Sequence, residues 1–319
     1  MLAVTADIFS GRENPRWVLV DENEARDVLR KAARHRQALA PPEQVRPVLG
    51  FRGLVVELLD DSAAQRLDLP SEFRLAGGRS GDEQAGAELA EQLLERTPTE
   101  GEAYLSDAGL DEDARSLALE MLREGPPDDA PVASASALPS TSVPPPGDEA
   151  GEDKSAEPAE DDMARAAAAG CQWIATPFNP GLWNNNPYVR RNNNCYNYAC
   201  NRRTNTFAQP GRAAGQMYTQ ITCAEVGRGA RADGNRIWGN CFPAGTGGLW
   251  IMALVMAPGL DYHWYRFMSS GYWTHKPGGT PATNRDNSGN RIRDPRTCNR
   301  GIYTRFCTFY QTAATVRIR

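Results

Sequence analysis

The rhythm of apolar and polar positions changes several times along this chain, and each change marks an element. Residues 3–9 and 17–20 carry the short apolar runs of two strands, separated by the turn signal Gly11-Arg-Glu-Asn-Pro15. Asp21 stands where it can cap a helix that extends to about Ala38. A further strand signal lies in residues 49–59, centred on Gly53-Leu-Val-Val-Glu-Leu-Leu59. Helical spacing returns at residues 80–96, where Ala85, Leu89, Leu93 and Leu94 follow the capping box Ser80-Gly-Asp-Glu83. It recurs at residues 111–123 through Leu117, Leu119 and Leu122. The pattern then stops. Residues 125–163 contain no aromatic side chain and almost nothing that fills a core, which predicts a disordered, acidic, Pro/Ser/Ala-rich linker.

Beyond the linker the texture is different, rich in Asn, Gly, Trp, Tyr and Arg and poor in Leu. Residues 184–194 read as a loop ending in Asn194, a helix N-cap for a short helix over 195–203. The turn signal Gln209-Pro-Gly211 closes that region. Strands are expected at 249–256, 262–267 and 272–276, punctuated by Ala257-Pro-Gly259 and Pro277-Gly-Gly279. The expected fold class is α+β throughout: a module over 1–124, the linker over 125–163 and a second domain over 164–319.

Charge sharpens this division. Residues 1–124 hold 15 basic and 25 acidic side chains, the linker 1 and 10, and residues 164–319 hold 19 and 5, giving −10, −9 and +14. A basic domain beside an acidic tether admits two readings. Its surface binds an external polyanion, or the acidic linker folds back over it.

All seven cysteines fall after residue 170, a density that points to disulfides, and an odd count suits three disulfides and one free thiol. A reduced domain with small buried thiols fits the same count. The first residues lack a basic segment followed by a long apolar one. Synthesis in the cytoplasm without a Sec-type signal peptide is therefore expected, with export by a signal-independent route as the way to reconcile the cysteines. No apolar window reaches the length of a membrane span.

Candidate chemistry concentrates at Cys195. A thiol in the first turn of a helix sees oriented N–H groups and the positive helix end, which favour the thiolate. His263 and His275 lie on neighbouring expected strands, where one imidazole can serve as base and the other as its orienter. His35, in a Lys/Arg-rich helix, reads as solvated. Over about residues 192–280 this order of capped cysteine, strand histidine and neighbouring strand histidine resembles the papain-like thiol hydrolases, in particular the NlpC-like and CHAP-type peptidases and amidases. The resemblance implies a cysteine helix packed on a small antiparallel sheet. It implies Cys195 as nucleophile, His263 as general base, His275 as orienting residue, and Asn193, Asn194 and Tyr196 as oxyanion or substrate contacts. It also implies a peptide or peptidoglycan substrate and no cofactor.

Two other readings of the same residues remain. Zinc is disfavoured by the Cys195/Cys200 and Cys298/Cys307 spacings and by the lack of a paired histidine motif. A non-catalytic, disulfide-stabilised binder of polyanions is suggested by arginines interleaved with Trp183, Tyr188, Trp264 and Tyr265. Nucleic acid is the less favoured polyanion, since no recognised motif for it is present.

Overall fold

The computed structural model describes residues 1–42, 44–75, 81–96, 110–124, 174, 176–238 and 250–319. The expected linker and Ser80, the first residue of the expected capping box, lie outside them. The chain forms two units, one of residues 1–9, 14–46 and 50–128 and one of residues 10–13, 47–49 and 129–319, and both combine helices with antiparallel strands. The α+β expectation therefore holds. Residues 10–13 and 47–49 group with the second unit.

In the first unit, strands β1 (Leu2–Ala6), β2 (Arg16–Leu19), β3 (Leu54–Leu58) and β4 (Glu72–Leu75) form an antiparallel sheet in the order β2-β1-β3-β4. Val4 pairs with both Trp17 and Val56, and all three are buried. The helices are α1 (Glu22–Arg34), α2 (Asp61–Leu67), α3 (Gly81–Glu95) and α4 (Glu112–Glu124). Asp21 caps α1 as expected, its Oδ1 accepting from the N–H groups of Asn23 and Glu24, both at 2.9 Å. The helix ends at Arg34 rather than near Ala38, and a single 3-10 turn follows at Arg36–Ala38. Asp7 is buried between Arg52 (2.7 Å) and Arg74 (2.9 Å). Burial alone would push its pKa up, but the two guanidinium groups outweigh it and hold the carboxyl well below the usual range.

In the second unit, α5 (Gly181–Asn184), α6 (Pro187–Arg191), α7 (Cys195–Ala199) and α8 (Cys223–Ala232) accompany a five-stranded antiparallel sheet. Its strands are β5 (Arg236–Ile237), β6 (Trp250–Ala257), β7 (Asp261–Phe267), β8 (Trp273–His275) and β9 (Arg305–Thr312), in the order β5-β9-β6-β7-β8. The turn between β6 and β7 falls where Pro258 and Gly259 predict it, with Gly259 at φ +77°.

Alternation along the strands sends side chains to two separate apolar clusters. Met252, Leu254, Met256, Tyr262, Trp264 and Tyr310 pack with Cys195, Tyr196, Ala199, Val226 and Ala230 of the helices. Ile251, Ala253, Val255, Tyr265, Phe267 and Phe309 pack with Leu49, Ile292 and Tyr303 on the other face. With both faces covered, β7 is buried at every position. A disulfide joins Cys223, at the start of α8, to Cys307 on β9.

Helix α7 is shorter than expected, since Asn201 adopts φ +54° and the Arg202 N–H turns back to the Asn197 carbonyl at 2.9 Å. The turn at residues 209–211 is present. Gly211 there has φ +84°, and a Cβ would lie 2.1 Å from the Gln216 carbonyl oxygen, so no other residue fits. No helix among the described residues is long and apolar enough to cross a membrane.

Candidate functional site

Asn194 caps α7 in the way the sequence predicts. Its Oδ1 accepts from the N–H groups of Tyr196 and Asn197, both at 3.1 Å, and the Asn197 side chain accepts from the Asn194 N–H in return. Cys195 thus does start a helix. Its thiol, however, is fully buried, and burial followed by the nearby Asp261 carboxylate pushes its pKa well up. The N–H groups of Trp264 and Tyr196 and the Lys276 charge pull the other way and are outweighed. The expected thiolate is therefore not the favoured form, because desolvation exceeds the helix-end field.

His263 and His275 are brought together, with Nε2 of His263 2.9 Å from Nδ1 of His275. His275 Nε2 lies 2.8 Å from the Arg285 carbonyl, which can only accept, so His275 carries its proton on Nε2. Its Nδ1 is then the acceptor, and His263 donates from Nε2. Both rings are fully buried.

Cys195 is not brought to this pair. The thiol packs in the cluster of Tyr262 and Trp264, whereas the His263 ring contacts Tyr265, at 4.8 Å between centroids, and Tyr303, at 5.7 Å, in the opposite cluster. Successive residues of β7 point to opposite faces, so the packing of α7 over Tyr262 and Trp264 directs His263 away from it.

The expected oxyanion and substrate contacts are committed elsewhere. Asn193 Nδ2 donates to the Val189 carbonyl and to Asn205 Oδ1, both at 2.7 Å. Asn194 Nδ2 donates to the carbonyls of Gly11 (2.8 Å) and Ala208 (2.7 Å), and the Tyr196 hydroxyl donates to Asp233 at 2.9 Å. All three residues are fully buried.

Two further groups escape sequence reasoning. Asp261 accepts from the N–H groups of Ser10 (2.6 Å), Gly11 (3.2 Å) and Arg12 (3.0 Å) and from the Tyr303 hydroxyl (2.5 Å). Burial raises its pKa despite these bonds. Lys276 Nζ, also buried, donates to the carbonyls of Arg190, Asn193 and Gly278 at 2.5–2.7 Å. Cys195, Cys200 and Cys298 are free thiols, which leaves too few partners for the three disulfides expected. Burial pushes Cys200 up to about 12. Among the described residues no group of three or more His, Cys, Asp or Glu side chains is arranged to hold a metal ion.

The buried imidazole pair carries a pH signature. Burial lowers the His275 pKa from 6.5 to about 4, against the smaller opposing effects of the Arg285 carbonyl and Asp286. Between those values the unfolded chain holds more protons, so this group's contribution to stability falls as pH falls through that window. The shift from 6.5 to about 4 corresponds to a loss of roughly 3 kcal/mol. The raised carboxyls of Asp233 and Asp261 act in the opposite sense. Urea unfolding at pH 4 and pH 7 is therefore to be compared between the native chain and His275→Gln. The variant is expected to lose less on acidification, and equal losses would exclude His275 as the source.

The fold and site together define a disulfide-stapled α+β protein in which Cys195, Cys200, His263 and His275 are fully buried. No family model and no solved structure matches the chain. It is 50% identical over 143 residues to Insoluble matrix shell protein 1 of Ruditapes philippinarum, a match spanning 44% of this chain and 91% of that protein. The chain belongs to the family of that shell protein.

Proposed function

We propose that the chain is a non-catalytic component of an insoluble matrix, and that its second unit holds an anionic polymer on an arginine-rich surface. The observation that carries this reading is the separation of reactive from exposed chemistry. Cys195, His263 and His275 are fully buried, with thiol and imidazoles on opposite faces of β7. Arg191, Arg203, Arg285, Arg291, Arg293 and Arg317 are exposed. Residues 164–319 carry 18 arginines and one lysine against 5 acidic residues. Guanidinium groups match sulfate and carboxylate oxygens in a two-pronged geometry that an ammonium cannot offer. The name of the related shell protein, with its insoluble matrix, supports the same setting.

The test is retention of the full chain on immobilised heparin and on poly-aspartate. Affinity is expected to fall at least about 100-fold between low and roughly 0.5 M salt, as counterion release requires for several contacts. Iodoacetamide should not alter it. Absence of retention at low salt would overturn the proposal. A thiol hydrolase is the second reading, favoured by the capped start of α7 and the hydrogen-bonded imidazoles. Peptide or peptidoglycan turnover abolished by Cys195→Ala would establish it instead.

A further inference from the structure

Residues 10–13 group with the second unit, and they are held there as a ligand is held, by side chains rather than by strand pairing. The N–H groups of Ser10, Gly11 and Arg12 all donate to the Asp261 carboxylate, at 2.6, 3.2 and 3.0 Å. The Gly11 carbonyl accepts from Asn194 Nδ2 and Gln209 Nε2, both at 2.8 Å, and lies 3.2 Å from the Tyr262 hydroxyl. Arg12 Nη1 donates to the Leu260 carbonyl at 2.6 Å. Gly11 is buried, and a Cβ there would lie 2.4 Å from the Tyr262 ring. That ring is itself fully buried, with its hydroxyl 2.9 Å from Gln209 Oε1, so it has no room to swing aside.

The groups that grip the segment are aimed by bonds that do not involve it. Asn194 Oδ1 is taken by the N–H groups at the start of α7, which turns its Nδ2 toward the Gly11 and Ala208 carbonyls. Gln209 Oε1 accepts from the Tyr218 hydroxyl at 2.6 Å, which turns its Nε2 toward the Gly11 and Phe207 carbonyls. Asp261 keeps the Tyr303 hydroxyl. A carboxylate and two amides buried in this way demand an occupant, because an unpartnered polar group in a core is costly. What the site reads is main chain: the Ser10 hydroxyl is buried and finds no partner, whereas position 11 admits only glycine.

We infer that Asp261, Asn194, Gln209 and Tyr262 form a receptor for a peptide segment centred on glycine, that residues 10–13 are its resident ligand, and that the same residues of a second copy of this chain fill it by exchange. The second copy is the partner because it carries the segment that the site already fits. Exchange preserves every bond named above and changes only which chain supplies the segment, so crowding favours it against the effective concentration of the resident one. None of the exposed arginines assigned to polyanion binding takes part, and heparin retention leaves this inference untouched in either outcome.

The probe is a fluorescein-labelled peptide of residues 8–15, with binding to the full chain read by anisotropy. Gly11→Ala in the chain expels the resident segment, and this variant is expected to bind the peptide at least about 30-fold more tightly than the native chain, whose site faces its own segment at roughly millimolar effective concentration. Adding Asp261→Asn to that variant is expected to weaken the peptide at least about tenfold, as loss of charge-assisted bonds requires. A peptide carrying Gly11→Ala should not bind, and one carrying Ser10→Ala should bind as the native sequence does. Chains with Gly11→Ala, which offer a vacated site, and chains with Asp261→Asn, which offer a loosened segment, are expected to pair one-to-one in sedimentation when mixed and not when separate. If the Gly11→Ala chain fails to fold, the native chain decides: millimolar native-sequence peptide must speed amide exchange at residues 10–12, and the Gly11→Ala peptide must not. Equal binding by native and Gly11→Ala chains, binding indifferent to Gly11→Ala in the peptide, or unchanged amide exchange overturns the receptor. Peptide binding without pairing of the mixed chains overturns the second copy as its partner.

Discussion

Replacing Cys223 and Cys307 together by serine is expected to lower the stability of the second unit by about 4–5 kcal/mol. The bond closes a loop across 84 residues of sequence, and chain entropy released to the unfolded state grows with the logarithm of that length. It ties the first residue of α8 to β9, which sits between β5 and β6, so the constraint links the helical layer to the middle of the sheet. For a unit of this size the loss corresponds to a fall of roughly 10–15 °C in the melting temperature. Trp183, Trp238, Trp250, Trp264 and Trp273 all lie in this unit and only Trp17 among the described residues lies in the other, so tryptophan fluorescence follows the relevant transition. A double serine variant melting within a degree or two of the native chain would show that the staple is energetically idle.

The second large effect is expected at Asp261. Truncation to alanine removes a buried carboxylate that accepts from three successive backbone N–H groups and one hydroxyl, and leaves those donors without it. Buried donors stripped of an acceptor cost about 1–3 kcal/mol each before relaxation, so a net loss of at least about 3 kcal/mol is expected. Asp261→Asn should lose less, because the amide oxygen still accepts while its NH₂ faces donors. The specific check is a double-mutant cycle with Tyr303→Phe. Coupling near zero between the two positions would mean that the 2.5 Å contact contributes nothing of its own.

Much of this architecture was legible where punctuation and periodicity agree. Pro258 and Gly259 separate the runs that became β6 and β7, and Asn194 announced the start of α7. Strand β9 was not legible. Its letters, Arg-Phe-Cys-Thr-Phe-Tyr-Gln-Thr, neither alternate nor form an apolar run, and Gln311 and Thr312 are buried only because both faces of that strand are covered. The candidate site divides in the same way. Neighbouring strands placed His263 beside His275, a local consequence of β7 pairing with β8. Which face of β7 the cysteine helix would cover is a tertiary choice between Tyr262/Trp264 and His263/Tyr265, and no spacing in the chain encodes it. The Asp261 site joins residues about 250 positions apart, beyond the reach of any local pattern.

Lys276 has a consequence for the surface chemistry of the second domain. It is the sole lysine in residues 164–319, and its ammonium is buried against three carbonyls. Every exposed cationic side chain among the described residues from 176 to 319 is therefore an arginine, which stays charged across the whole accessible pH range. Acetylation and aldehyde condensation, which act on exposed ε-amines, find no side-chain target among those described residues. The unit keeps a permanent positive charge through conditions that would discharge or cross-link a lysine-rich surface.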